Sequence, residues 1–157
     1  MGGMQALNLI VGGYRCDSAV YTGKDSGWKN GLDTTVPVTG MEDLFAYVGA
    51  FSNAPTSSDG KVLGASIASC DHKVNLLYIT CGDADGVAGE LGYAKAVDGL
   101  TEAAGNNLEN YYQVIVKGGG HEPNVWTNGL YNFIRLSFEK SEGRLKPYVV
   151  RMALDSN

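Results

Sequence analysis

Two short stretches of the chain hold residue types that could do proton-transfer chemistry. One is Cys81-Gly82-Asp83-Ala84-Asp85-Gly86 and the other is Gly118-Gly119-Gly120-His121-Glu122. Each follows a β-prone apolar run, residues 75–80 (NLLYIT) and 111–116 (YYQVIV). In an open parallel sheet, functional groups collect in the loops at the carboxyl ends of strands. A carboxylate at one strand end and an imidazole at the next form the pair that acyl transfer uses. The acid fixes the tautomer and stabilises the imidazolium that forms when the ring takes a proton. Taken singly, an Asp after a strand is more often a turn former or a helix cap. A His after glycines is more often a surface side chain. Their joint placement favours a site.

Metal chemistry fits less well. Asp83 and Asp85 with Gly86 echo a calcium loop, but that register puts Cys81 first and Gly92 last, where an Asp and a bidentate Glu belong. Cys70-Asp71-His72 offers two zinc-type ligands with no evident third or fourth. Gly118-Gly119-Gly120 lacks the Lys-Ser/Thr of a phosphate-binding loop. These glycines serve better to let a strand end approach a neighbouring loop. No metal and no cofactor is expected.

A histidine base needs a nucleophile, and no complete G-x-S-x-G elbow is present. Gly64-Ala65-Ser66-Ile67-Ala68 comes nearest and gives the order Ser, Asp, His, yet only eight residues separate Ser66 from the strand at Asn75. Ser52 follows a strand but lacks flanking glycines. The opening, Met1-Gly2-Gly3-Met4-Gln5, enters a helix directly, as does the sequence just after the serine of an S-M-G-G elbow.

At this point the sequence resembles the esterase D and feruloyl-esterase group of α/β hydrolases, the family-1 carbohydrate esterases. The resembling blocks are MGGMQALNL, LFAYVGAFSNAP, NLLYITCGDADG and GGGHEPNVWTNGLYNF. The resemblance implies the C-terminal portion of such a fold, beginning just after the nucleophile serine. It implies a serine carboxylester hydrolase acting without a cofactor on feruloyl or acetyl esters of plant cell-wall sugars, or on small acyl esters. The family acid falls on Asp85, the histidine on His121, and the residue whose backbone N–H forms half the oxyanion hole on Met1. Pro123 departs from the pattern, since relatives carry an aromatic there. Many relatives are secreted; the chain itself does not disclose a compartment. Two other readings stand beside this one: a complete small esterase using Ser66, and a non-catalytic carbohydrate-binding or scaffolding remnant.

The elements that must position these residues alternate. Residues 2–11 read as a short helix, 44–51 as a strand covered on both faces, 53–71 as mostly loop, and 89–104 as a helix. Residues 125–138 place Trp126, Leu130, Phe133, Ile134 and Ser137 on one helical face. This alternation predicts an α/β fold with parallel βαβ units over residues 1–138. Residues 14–40 lack periodicity and look like an insertion, expected at the end of the sheet opposite the site and away from substrate. Residues 139–157 form a tail with one β-like piece, PYVVRMAL. If its partner strand lies upstream, the strand at 44–51 presents an unpaired apolar edge that invites self-association.

Composition agrees with a folded domain: 157 residues, 44% hydrophobic and 18% charged. A net charge of −5 argues against a nucleic-acid groove or a polybasic membrane patch. No apolar run reaches the length of a membrane span. Three cysteines without a CxxC pair leave the redox setting open.

Overall fold

The computed structural model describes residues 1–24, 29–138 and 148–155. Helix α1 (Gly2–Ala6) continues into a π-helical turn (Leu7–Val11). Then come β1 (Tyr14–Cys16), α2 (Ser18–Tyr21), β2 (Thr34–Val36) and β3 (Tyr47–Phe51). Helix α3 (Gly60–Ser69) leads to β4 (Leu76–Gly82). A π-helical turn (Gly89–Ala94), α4 (Lys95–Val97) and α5 (Leu100–Ala104) precede β5 (Asn110–Lys117). Helix α6 (Pro123–Phe138) and β6 (Tyr148–Asp155) follow.

Strands β3, β4, β5 and β6 form one sheet in sequence order, every pair parallel. Residues of the central strands alternate between two apolar layers, as the two-residue period of a strand requires. Leu77, Ile79 and Cys81 of β4 and Val48 and Ala50 of β3 join Leu7, Leu63, Ile67 and Leu100 in one layer. Leu76, Tyr78, Tyr112 and Val114 face Phe51, Phe133 and Leu136 in the other. Burial on both faces explains why β4 is apolar almost throughout, with all seven residues buried. The fold is α/β, a parallel sheet flanked by helices. Among the described residues, β3 pairs on one side only. The surface near this free edge exposes Leu44, Phe45, Tyr47 and Phe138, and the rings of Tyr47 and Phe138 meet at 6.4 Å.

Four expectations need correction. Residues 53–71 contain α3, not mostly loop. Six of its ten residues are Gly, Ala or Ser, so no large apolar stripe announces it. Small residues are needed because α3 packs tightly on α5; a Cβ on Gly64 would stand 2.7 Å from Ala103 Cβ. The helix expected over 89–104 is broken into three pieces, with Gly99 at φ +69° before α5. On α6 the buried positions are Val125 and Gly129, with Phe133 and Leu136 packed on the core; Leu130 and Ile134 are exposed. The face is turned because Gly129 fits against Thr80 and Phe51, where a Cβ would meet side-chain atoms at 2.7–2.8 Å. Residues 14–40 are not structureless either. β1 and β2 pair antiparallel, and buried Asp17 caps α2 by accepting from Ala19 N–H at 2.8 Å and from Asn30 N–H at 2.6 Å. Of the tail, PYVVRMAL supplies β6, whereas 139–147 and 156–157 lie outside the described residues.

Asp59 starts α3 by accepting from Val62 N–H at 3.2 Å, and its other oxygen accepts from Thr35 Oγ1 at 2.7 Å. Loss of an N-cap carboxylate typically costs about 1 kcal/mol. Asp59→Ala should therefore lower unfolding free energy by about 1–2 kcal/mol, read from urea denaturation.

Candidate active site

The loop after β4 and the loop after β5 are fastened to each other by backbone. A Cβ on Gly82 would run into the carbonyl of Gly119, so the two chains approach as closely as glycine permits. Around this contact, Ala84 N–H donates to Gly119 O at 3.0 Å and Asp83 N–H to Val116 O at 3.1 Å. Asp83 Oδ1 accepts from Gly118 N–H at 2.7 Å. The two aspartates of the CGDADG segment thus divide their work: Asp83 latches the loops, and Asp85 turns inward.

Asp85 is buried, and its carboxylate is almost saturated with donors. Oδ1 accepts from Val87 N–H at 2.9 Å and Ala88 N–H at 2.8 Å. Oδ2 lies 2.9 Å from His121 Nδ1 and 3.5 Å from Cys81 Sγ, whose thiol donates. His121 Nδ1 is also 3.2 Å from Oδ1. Burial by itself would raise the Asp85 pKa, but the Ala88 amide, His121, the Ser52 hydroxyl and the Val87 amide together hold it below the ordinary carboxylate range. An ionised carboxylate only accepts, so Nδ1 of His121 carries the proton and Nε2 is left as a base. The Cys81 thiol is pushed up to about 12 by burial and by the Asp85 charge, which keeps it protonated.

The imidazole is held from a second side. Trp126 meets His121 edge-on, with ring centroids 5.2 Å apart and planes at 77°. Trp126 lies one turn into α6, and its backbone N–H reaches Glu122 O at 3.4 Å. Glu122 Oε1 accepts from Gly120 N–H at 3.0 Å. The imidazole stays partly open, its side chain 33% exposed while that of Asp85 is covered. The result is a desolvated carboxylate, an oriented imidazole and a face of that imidazole within reach of solvent. Such a pair can accept and return a proton.

Asp85 and His121 are therefore brought together. Met1 stands at the head of α1, 82% exposed. Gly3 places that helix start against the Phe51 carbonyl at the carboxyl end of β3, the same end of the sheet as both loops. Ser66 sits in the body of α3, not on the strand-to-helix turn that an elbow demands. It lines an open cavity of about 810 Å³ with Val38, Gly40, Asp43 and Cys70-Asp71-His72. Among the described residues no group of three or more His, Cys, Asp and Glu is placed to hold a metal. None of their helices is long and apolar enough to cross a membrane.

The 14–40 segment reaches further than expected. Its Pro37–Gly40 part lies by the carboxyl end of α3, beside Ser69 and Cys70. Its other part reaches the connections that leave the site end: Arg15 donates to Leu91 O at 2.8 Å, Leu32 O at 3.3 Å and Pro55 O at 3.4 Å. Placing the whole segment at the far end of the sheet was thus too simple.

Sequence reasoning placed Trp126 on the core face of α6 and not against the imidazole. The five-residue offset from His121 to Trp126 was the available signal, because it carries the indole one turn along the helix from the loop. No family model matches the chain, and no solved structure matches it.

Two outcomes are expected. Gly82→Ala should cost about 1–3 kcal/mol by forcing the loops apart and should shift the downfield NMR signal of the His121 Nδ1 proton. Because Asp85 has a lower pKa folded than unfolded, its contribution is complete above the unfolded value of about 3.9 and is lost as pH falls through the folded value. Asp85→Asn should flatten that acid limb of the stability–pH profile, measured by urea unfolding.

Proposed function

We propose that this chain carries the acid and the base of a serine carboxylester hydrolase of the feruloyl- or acetyl-esterase type. One observation carries the reading: a buried, ionised Asp85 holds His121 by Nδ1 at 2.9 Å across two loops at the carboxyl ends of adjacent parallel strands. In the proposed reaction a serine hydroxyl attacks the ester carbonyl as His121 Nε2 takes its proton, and His121 then returns that proton to the departing alcohol. A water that gives its proton to the same Nε2 then attacks the acyl-serine, the proton passes to the serine oxygen as the carboxylic acid leaves, and Asp85 stabilises the imidazolium in both halves. No cofactor enters these steps.

The serine is proposed to come from polypeptide preceding Met1, on a strand that pairs with the free edge of β3. Two features support that position: β3 is unpaired on that side among the described residues, and α1 starts beside its carboxyl end. In that arrangement the Met1 amide would stand next to the serine and donate to the oxyanion. The substrate proposed is an acyl ester of a plant cell-wall sugar or a small acyl ester, with Pro123 giving the pocket a wall unlike that of an aromatic. Ser66 is not favoured as nucleophile, given its place inside α3.

The test is aryl-ester hydrolysis by the chain joined to the sequence encoded immediately upstream. A fluorophosphonate should label a serine upstream of Met1. Asp85→Asn should lower kcat by about 10⁴-fold and His121→Ala by about 10⁶-fold, each with the fold retained. Activity that persists in either variant, or labelling at Ser66, overturns the reading.

A further inference from the structure

Ser52 is the one non-glycine residue with positive φ among the described residues, at +46°. Such a conformation strains a residue with a Cβ, and it persists only where the surroundings impose it. The surroundings are easily named. Ser52 follows β3, its N–H donates to Thr80 O at 2.8 Å, and the β3–β4 register sets it beside Cys81. The turn drives the side chain inward, where the residue is 2% exposed. Its hydroxyl is buried without a hydrogen-bond partner of good geometry. A buried hydroxyl left unpaired is itself unfavourable, so strain and desolvation are both accepted at this position.

That register puts Ser52 next to the residue whose thiol rests on the acid. Cys81 Sγ is 3.5 Å from Asp85 Oδ2, and the Ser52 hydroxyl helps hold the Asp85 carboxyl low while working against the rise that burial and the Asp85 charge impose on the thiol. Cys81 and His121 are the titratable groups in contact with the Asp85 carboxylate. A carboxylate has about four acceptor positions, and the Val87 and Ala88 amides with the His121 ring fill three. A thiol is a weak donor and fills the fourth poorly.

We propose that Ser52 is a positioning residue for Asp85, held in its strained turn so that its hydroxyl can donate to the carboxylate on the Cys81 side. That donor would keep Asp85 ionised and its Oδ2 aimed at His121, fixing the base through the acid and touching no substrate. The inference rests on reading Asp85 and His121 as acid and base, yet its test requires no turnover.

The test compares the unmodified chain with Ser52→Gly and Ser52→Ala. Glycine adopts positive φ without strain, so Ser52→Gly should keep or raise Tm; alanine keeps the strain and removes the hydroxyl. In both variants the ¹³C NMR titration of the Asp85 carboxyl should move up by about one pH unit, and the His121 Nδ1 proton should move upfield. An Asp85 midpoint unchanged in folded Ser52→Gly overturns the proposal. The unmodified chain gives a second reading: a slowly exchanging Ser52 hydroxyl proton whose shift follows the titration of Asp85. A hydroxyl signal that ignores that titration overturns the proposal even if neither variant folds. Failure of ester hydrolysis with these NMR responses intact would sink the enzyme reading alone.

Discussion

The whole site depends on how closely two strands of backbone can approach at Gly82 and Gly119. Hydrogen bonds and ion pairs tolerate tenths of an ångström of drift, but a steric contact between main chains does not. Here the contact brings the ends of β4 and β5 into one register, and the amide bonds of Asp83 and Ala84 lock it. Asp85 and His121 are 36 residues apart in sequence, yet the loops that hold them follow adjacent parallel strands. Their geometry is inherited from the sheet, whose strands position a site more precisely than loops alone would.

Above that contact the carboxylate is supported in layers. Backbone amides of Val87 and Ala88 hold one oxygen, the imidazole takes the other, and Cys81 fills space beneath as a thiol that stays protonated. Burial would ordinarily favour the neutral acid. The donors reverse that preference, so the site combines a dry carboxylate with a negative charge. Trp126 completes the arrangement by meeting the imidazole edge-on.

Much of this could be read from the residues. Alternating apolar strands and helices gave the α/β class, and a carboxylate and an imidazole after consecutive strands gave the pair at Asp85 and His121. Glycines in both loops signalled close approach, and Gly82 with Gly119 realise it. What escaped notice was governed by contacts between segments, not by local pattern. Helix α3 is poor in large apolar residues because its partner is the backbone of α5, so periodicity gave it no voice. The orientation of α6 depends on Gly129 meeting Thr80, a fact of packing that no helical wheel contains. The strained position itself is a serine and not a glycine or asparagine, so nothing in its type marks it, and the bond from its N–H to Thr80 O ties it to β4. The strand β6 was visible as a β-like piece, but its place beside β5 came only with the sheet.

Arg15 shows a different kind of dependence. One guanidinium gathers carbonyls from Leu32, Pro55 and Leu91, three segments far apart in sequence. A guanidinium has five donors in a rigid plane, so it works here as a rivet between peptide strands, with no carboxylate required. The non-periodic 14–40 stretch is thereby fixed to the connections that follow both β3 and β4. Because its hold is on main-chain carbonyls, the side chains at positions 32, 55 and 91 can change without loosening it, so long as Arg15 itself and the Asp17 and Thr35 contacts remain.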